Sequence, residues 1–315
     1  KKTQTNESLG YTEWTLKNGI KVIVRPSTLK ADEVTISAVS KGGLSMLSDE
    51  EYYQGAFLGM IMGNSGIGKF SSTELSKQLS GKSAWASVGT ASYEHAVNAG
   101  GSPKDIETIL QLMYLNFTSP RFDQTDLDNM KKMYIPYFTN MESDPNYICS
   151  KELQKTLYGN NPRRQATSVA QIEALNIPAL QNVHAKLFSF ADDFRFIIAG
   201  NVDLNTLKPL VEKYIGSLPT SKNVEYAVVD DGVRYAGNIT NEFRTKMEQP
   251  KVSVRLIYTG AMEDNAKNRL IVDLLSRALD SRYMISIREE KGGTYGVSVQ
   301  GAVEEYPVEN YFMAI

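Results

Sequence analysis

A chain of 315 residues, 42% hydrophobic and 22% charged, has the composition of a globular protein long enough for two ordinary domains, which argues against intrinsic disorder. Its 34 basic and 36 acidic residues leave a net charge of −2, so it carries no electrostatic footprint for wrapping nucleic acid or holding an anionic membrane. Cys149 is the only cysteine, which excludes an internal disulfide and a cysteine-based zinc site, and the longest apolar run, AFLGMIM at 56–62, is far short of the ~20 residues that span a bilayer.

In chain order, the polar start, residues 1–9, reads as a linker rather than a signal peptide, because it has no apolar centre. VTISAVSKGG at 34–43 alternates as a half-buried strand does, and SDEEYYQGAFLGMIM reads as a capped helix. A strand pair, SAWASVG and YEHAVNA, precedes a helix that Ser102 can cap and Pro103 can open, with Ile106, Ile109, Leu110 and Met113 on one face. FRFIIAGNVDLNTLKPLVEKYIGSLP then reads strand, turn, helix and stop, with Leu207, Leu210, Val211 and Tyr214 on one face, Gly216 as C-cap and Pro219 beyond it. A second version of the first pattern follows: VSVRLIYTG at 252–260 as strand, NAKNRLIVDLLSRALDS as helix, TYGVSVQ and NYFMAI as the strand pair. If this is a repeat, roughly 75 further residues are expected after Ile315 to complete it.

This order implies an α+β fold of two related domains, each a mainly antiparallel sheet with helices on one face. The expected division is a linker at 1–9, a first domain at 10–177, and a second at 178–315, truncated at its end.

Most of the candidate chemistry is bland. GNSGIGKF at 63–70 has GxxxxGK but ends in Phe70 where a phosphate loop needs Ser or Thr, and a helix precedes it instead of a strand. His95 and His184 lie far apart and read as packed or surface imidazoles, not ligands. Cys149 lacks a histidine nearby in sequence, and the acidic pairs Glu50 with Glu51 and Glu304 with Glu305 read as solvated faces. IREEKGGTYGV at 287–297 is different. A helix dipole explains Arg288 near a helix end, and a left-handed cap explains Gly292 or Gly293. Neither explains Tyr295. An arginine and a phenol aimed at one point are good donors to a carbonyl that becomes an oxyanion.

REEKGGTYGVSV resembles the arginine and tyrosine motif in the last domain of the pitrilysin/insulinase family of zinc metallopeptidases, the inverzincins. LKNGIKVIV, VSKGG, TSPRFD, ESDP, FADDFRFIIAGNVD and EKYIGSLP resemble that family in the same order over nearly the whole chain, most closely the C-terminal half of its long single-chain bacterial members. The resemblance implies a mitochondrial-processing-peptidase-like fold in which two halves close around a peptide. Only the N-terminal half of such proteins carries HxxEH. Here AFLGM stands at that place, with Ala56, Gly59 and Met60 at the positions of the first histidine, the general-base glutamate and the second histidine, and Pro136 and Tyr137 near the third ligand. The fragment is therefore expected to hold no metal and to be inactive alone, zinc belonging to a missing N-terminal half.

On the same resemblance, Arg288 and Tyr295 would bind substrate and support the tetrahedral intermediate. The expected partners are the N-terminal catalytic half, or a separate catalytic chain, and a peptide substrate. The expected location is the periplasm or cell envelope. The competing expectations are an inactive scaffold retained for assembly, like the core subunits of respiratory complexes, or an inactive partner subunit that assembles with a separate HxxEH-bearing chain.

Overall fold

A computed structural model describes residues 2–221, 228–230, 237–306 and 311–315. The chain separates into two compact units: Lys1–Thr139 with Thr167–Val229, and Asn140–Ala166 with Asp230–Ile315.

The first unit begins with β1 (Lys2–Asn6), β2 (Tyr11–Thr15), β3 (Lys21–Pro26) and β4 (Val34–Lys41), followed by α1 (Asp49–Ser65) and α2 (Ser72–Gln78). The strand pair β5 (Ala84–Thr90) and β6 (Glu94–Gly101) leads to α3 (Ile106–Thr118) and α4 (Gln124–Met141). After α5 (Pro145–Tyr158), which belongs to the second unit, the chain returns through α6 (Val169–Glu173), α7 (Ile177–Phe188), β7 (Arg195–Gly200) and α8 (Leu204–Tyr214). These strands form one seven-stranded sheet in the order β1-β2-β3-β7-β4-β6-β5, antiparallel throughout except where β7 runs parallel to β3.

Alternation selects the faces. Val34, Ile36 and Ala38 of β4, Val97 and Ala99 of β6, and Phe196 and Ile198 of β7 are buried beneath the helices, while Thr35, Ser37 and Ile197 between them face outward. Leu58 and Ile61 of α1, Ile109, Leu110 and Met113 of α3, and Leu180, Val183 and Leu187 of α7 complete that core. Ser48 caps α1 in a reciprocal box with Glu51, so the start expected from SDEEYY is the observed one.

The second unit contains β8 (Ile257–Gly260), α9 (Ala266–Tyr283), β9 (Gln300–Val303) and β10 (Tyr311–Ala314). Its three strands are ordered β8-β10-β9, antiparallel, the same connectivity as β4-β6-β5 in the first unit. The two versions of one pattern seen in the sequence are thus one topology used twice.

Several expectations need correction. Residues 1–9 are not a linker: β1 pairs with β2 from Lys2 against Thr15 to Asn6 against Tyr11. The domain boundary expected at 177/178 is displaced, because β7 inserts between β3 and β4 and carries 178–229 into the first unit, while 140–166 joins the second. Val252 and Val254, expected in a strand, are exposed and lie before β8, which starts at Ile257. TYGVSVQ reaches strand form only at Gln300. Gly216 is not a left-handed cap but part of a 3₁₀ turn, Ile215–Ser217, that tightens the end of α8. Ser102 precedes a 3₁₀ turn, Pro103–Asp105, without a side-chain cap bond, and α3 starts at Ile106.

Candidate functional site

α9 does not end in a regular α-helical turn. Residues Met284–Glu289 widen into a π-helical turn, marked by the Glu290 amide donating to the Ile285 carbonyl at 2.9 Å, and π turns recur at functional sites. Gly292 then takes φ 56°, the left-handed position the glycine pair was expected to supply, while the amides of Gly292 and Gly293 donate to the carbonyls of Arg288 and Ile287. The hydroxyl of Thr294 both donates to the Gly296 carbonyl and accepts from the Gly296 amide, which folds Tyr295 out at the tip of a short turn.

These two local devices bring the motif residues together. The Arg288 guanidinium carbon lies 5.4 Å from the centre of the Tyr295 ring, within cation–π range. Arg288 Nη1 also donates to Met284 Sδ at 3.6 Å, and the arginine makes no ion pair among the described residues. Tyr295 is 92% exposed, and Arg288 is exposed as well. The turn geometry therefore sets two donors side by side, and neither is engaged by a carboxylate among the described residues.

Beside the pair is a groove of about 790 Å³ between α9 and the segment leading into β9. Asp273, Arg277, Asp280, Met284, Glu289 and Gln300 are among its lining residues. Sequence reading missed this groove. Its signal was the i, i+4 pair Asp273 and Arg277, whose Nε lies 3.1 and 3.0 Å from the two carboxylate oxygens.

The positions expected to correspond to a degenerate zinc site lie on α1. Ala56 is exposed, Gly59 is half-buried, and Met60 packs partly against the core. Gly59 also does mechanical work: a Cβ there would collide with the Val88 carbonyl oxygen of β5, so α1 lies against the strand where a glutamate side chain would have to leave the helix. Tyr137, on α4, is exposed, and Pro136 offers no ligand atom. These residues do not fit zinc, and among the described residues no three His, Cys, Asp or Glu side chains come together as a metal site.

The remaining candidates are structural. His95 and His184 pack at 5.1 and 5.3 Å from the Phe188 ring. Burial pushes His95 down to about 4, against the pull of a bond to the Leu187 backbone, and pushes His184 down as well, His184 Nε2 lying 2.8 Å from the Asn116 carbonyl. In GNSGIGKF, Gly66 ends α1 at φ 89°, and the amides of Ile67, Gly68 and Phe70 all donate to backbone carbonyls, leaving no cradle for phosphate. Cys149 is half-buried on α5.

Residues 174–313 match the family described as Peptidase M16 inactive domain. Over those residues the chain is similar to that inactive domain, and along its length it resembles the C-terminal half of an M16 peptidase. It is 25% identical over 297 residues to the probable zinc protease PqqL of Escherichia coli, covering 93% of this chain and 31% of that protein. It is 20% identical over 287 residues to the probable zinc protease PqqL of Haemophilus influenzae, covering 91% and 30%. Among solved structures, the periplasmic protease PqqL from Escherichia coli matches all of this chain with 34% of its own, at a TM-score of 0.82 and 21% identity. The first half of that same protease matches with a TM-score of 0.63 at 11% identity, covering 97% of this chain and 67% of that one, so the fold is common to both halves. The M16-like chain thus spans about a third of the length of the PqqL proteins it matches.

Proposed function

We propose that this chain is the non-catalytic half of a zinc metalloendopeptidase, closing over a peptide held against an N-terminal half that carries HxxEH and the metal. The observation that carries the reading is the meeting of Arg288 and Tyr295, seven residues apart in sequence and 5.4 Å apart in space, both facing solvent. The guanidinium and the phenol would donate to the carbonyl of the scissile or adjacent peptide and hold the oxyanion of the tetrahedral intermediate. A planar guanidinium and a phenol suit that task because both donate directly to the oxygen on which the charge develops. The other half would supply the metal that activates the attacking water. The emptied α1 site fits the same division of labour, and the fragment alone is expected to cleave nothing.

In the intact protease, Arg288→Ala or Tyr295→Phe is expected to lower turnover about a hundredfold, the magnitude of losing an oxyanion donor. Unchanged kinetics in both variants would return the pair to a structural role. The periplasm or cell envelope is the proposed location, since one structural relative is a periplasmic protease and no described helix is long and apolar enough to cross a membrane. Cell fractionation tests it.

A second reading has its own support. The chain is 22% identical over 203 residues to the non-peptidase homologue YmxG of Helicobacter pylori, covering 62% of this chain and 45% of that one. An inactive subunit that assembles with a separate HxxEH-bearing chain would look alike in this region. Reading the gene upstream of Lys1 for HxxEH separates the two.

A further inference from the structure

The repeat gives the groove beside Arg288 a definite place. Ser48 and Asn265 are the N-caps of α1 and α9, so counting from the caps aligns Ala56, Gly59 and Met60 with Asp273, Ser276 and Arg277. Where the first unit has an apolar helix face pressed onto β5, the second has an open, charged groove beside β9. Its lining includes three carboxylates, Asp273, Asp280 and Glu289, against one guanidinium, Arg277. Arg277 is already matched by Asp273. Asp280 accepts the Val299 amide through Oδ1, leaving its second oxygen, and Glu289 makes no ion pair among the described residues. Arg288, on the turn that follows, is turned to Met284 and Tyr295.

Backbone geometry adds to the charge. Among the described residues β9 is an edge of the order β8-β10-β9, so one side of Gln300–Val303 is open to pairing with an extended chain. A groove of about 790 Å³ is ample for a long side chain from such a chain.

We infer that the α9–β9 groove is a specificity site for a lysine or arginine side chain of an extended peptide, with Asp280 and Glu289 as the residues that select it. This rests on the proposal that Arg288 and Tyr295 face a bound peptide. The edge strand aligns the backbone, the two carboxylates read the side chain, and the Arg288–Tyr295 pair takes a neighbouring carbonyl. An acidic side chain in the same place meets like charges.

The test is fluorescence anisotropy with the intact protein, its cleavage blocked by a chelator. The probes are a fluorescein-labelled Ala/Ser/Thr peptide with one central lysine and the same peptide with norleucine or glutamate there. The lysine peptide is expected to bind about fivefold more tightly than the norleucine one, as two solvent-facing ion pairs allow, and the glutamate peptide more weakly than either. The double variant Asp280→Asn, Glu289→Gln should erase the lysine preference and leave norleucine affinity unchanged, which also reports that the groove is still folded. Equal binding of the three peptides, no binding of any, or a preference that survives the double variant would overturn the inference. Arg288→Ala separates the two proposals: a lysine preference that persists while no peptide loses affinity would remove the pair from substrate contact and keep the groove.

Discussion

The backbone of Gly59 lies so close to the Val88 carbonyl oxygen that no side chain fits between helix α1 and strand β5. The opposing atom is backbone and cannot swing aside. Gly59→Ala is expected to cost about 2 kcal/mol, and Gly59→Glu more. Gly63→Ala, four residues on with nothing within 4 Å of a new methyl, should instead stabilise by about 1 kcal/mol. Urea unfolding of the variants checks the contrast. By the same geometry, Ala56→His, Gly59→Glu and Met60→His together should yield a destabilised protein without tight zinc. One zinc per chain at wild-type stability would sink this account.

Acid should weaken the first unit earlier than its carboxylates alone would. His95 has a folded pKa of about 4, below its ordinary 6.5, because burial disfavours the cation. A depressed folded value means stability is fully present above 6.5 and is lost as pH falls towards 4, up to on the order of 3 kcal/mol. His95→Phe should flatten the pH dependence of the urea midpoint between those values. An unaltered slope would show that another group sets it.

Glu51 links a helix start to a second helix. Its Oε2 accepts the Ser48 amide, and its Oε1 accepts from Asn182 and Lys186 of α7. Burial raises its pKa, but the bonds from Lys186 and Ser48 outweigh that and leave it below the usual 4.5. Its contribution is therefore in place above 4.5 and declines as pH falls through the lower folded value. Glu51→Ala should cost about 2 kcal/mol, while Glu51→Gln, able to keep the cap, should cost less. Equal losses in thermal denaturation would mean the cap contributes nothing.

Charge alone should not rescue the arginine site. Arg288→Lys keeps a cation but loses the planar fork and the stacking on Tyr295, so its turnover in the intact protease is expected to fall nearly as far as in Arg288→Ala. Combining Arg288→Ala with Tyr295→Phe should cost less than the product of the single effects, since the two residues act on one group. Fully multiplicative losses would argue for separate roles.

Where side-chain period and capping agreed, the sequence was enough: SDEEYY with its box, the alternation of VTISAVS, and the left-handed glycine after Arg288 all took the expected form. The errors came from non-local pairing. Nothing within FRFIIAG says that it inserts between strands more than a hundred residues upstream, so a boundary at 177/178 falls three elements, α7, β7 and α8, short of the end of the first unit. TYGVSVQ alternates as a strand should, yet the Thr294 hydroxyl folds its first residues into a turn and leaves Tyr295 exposed. The motif's spacing could be read in one dimension, but the stacking of its side chains depends on a π turn that no local pattern announced. The groove left no more trace than the Asp273–Arg277 pair, because Asp273, Asp280 and Glu289 look individually like an ordinary solvated helix face.

The second unit draws on 140–166 and on residues beyond 230, joined in part by the Asn241 amide donating to the Thr156 hydroxyl at 2.7 Å. During synthesis, α5 therefore leaves the ribosome well before the segment it is bonded to exists. The intervening stretch, β7 included, must be translated while α5 waits. A cut between residues 177 and 178 would release neither unit whole: each resulting piece would carry parts of both.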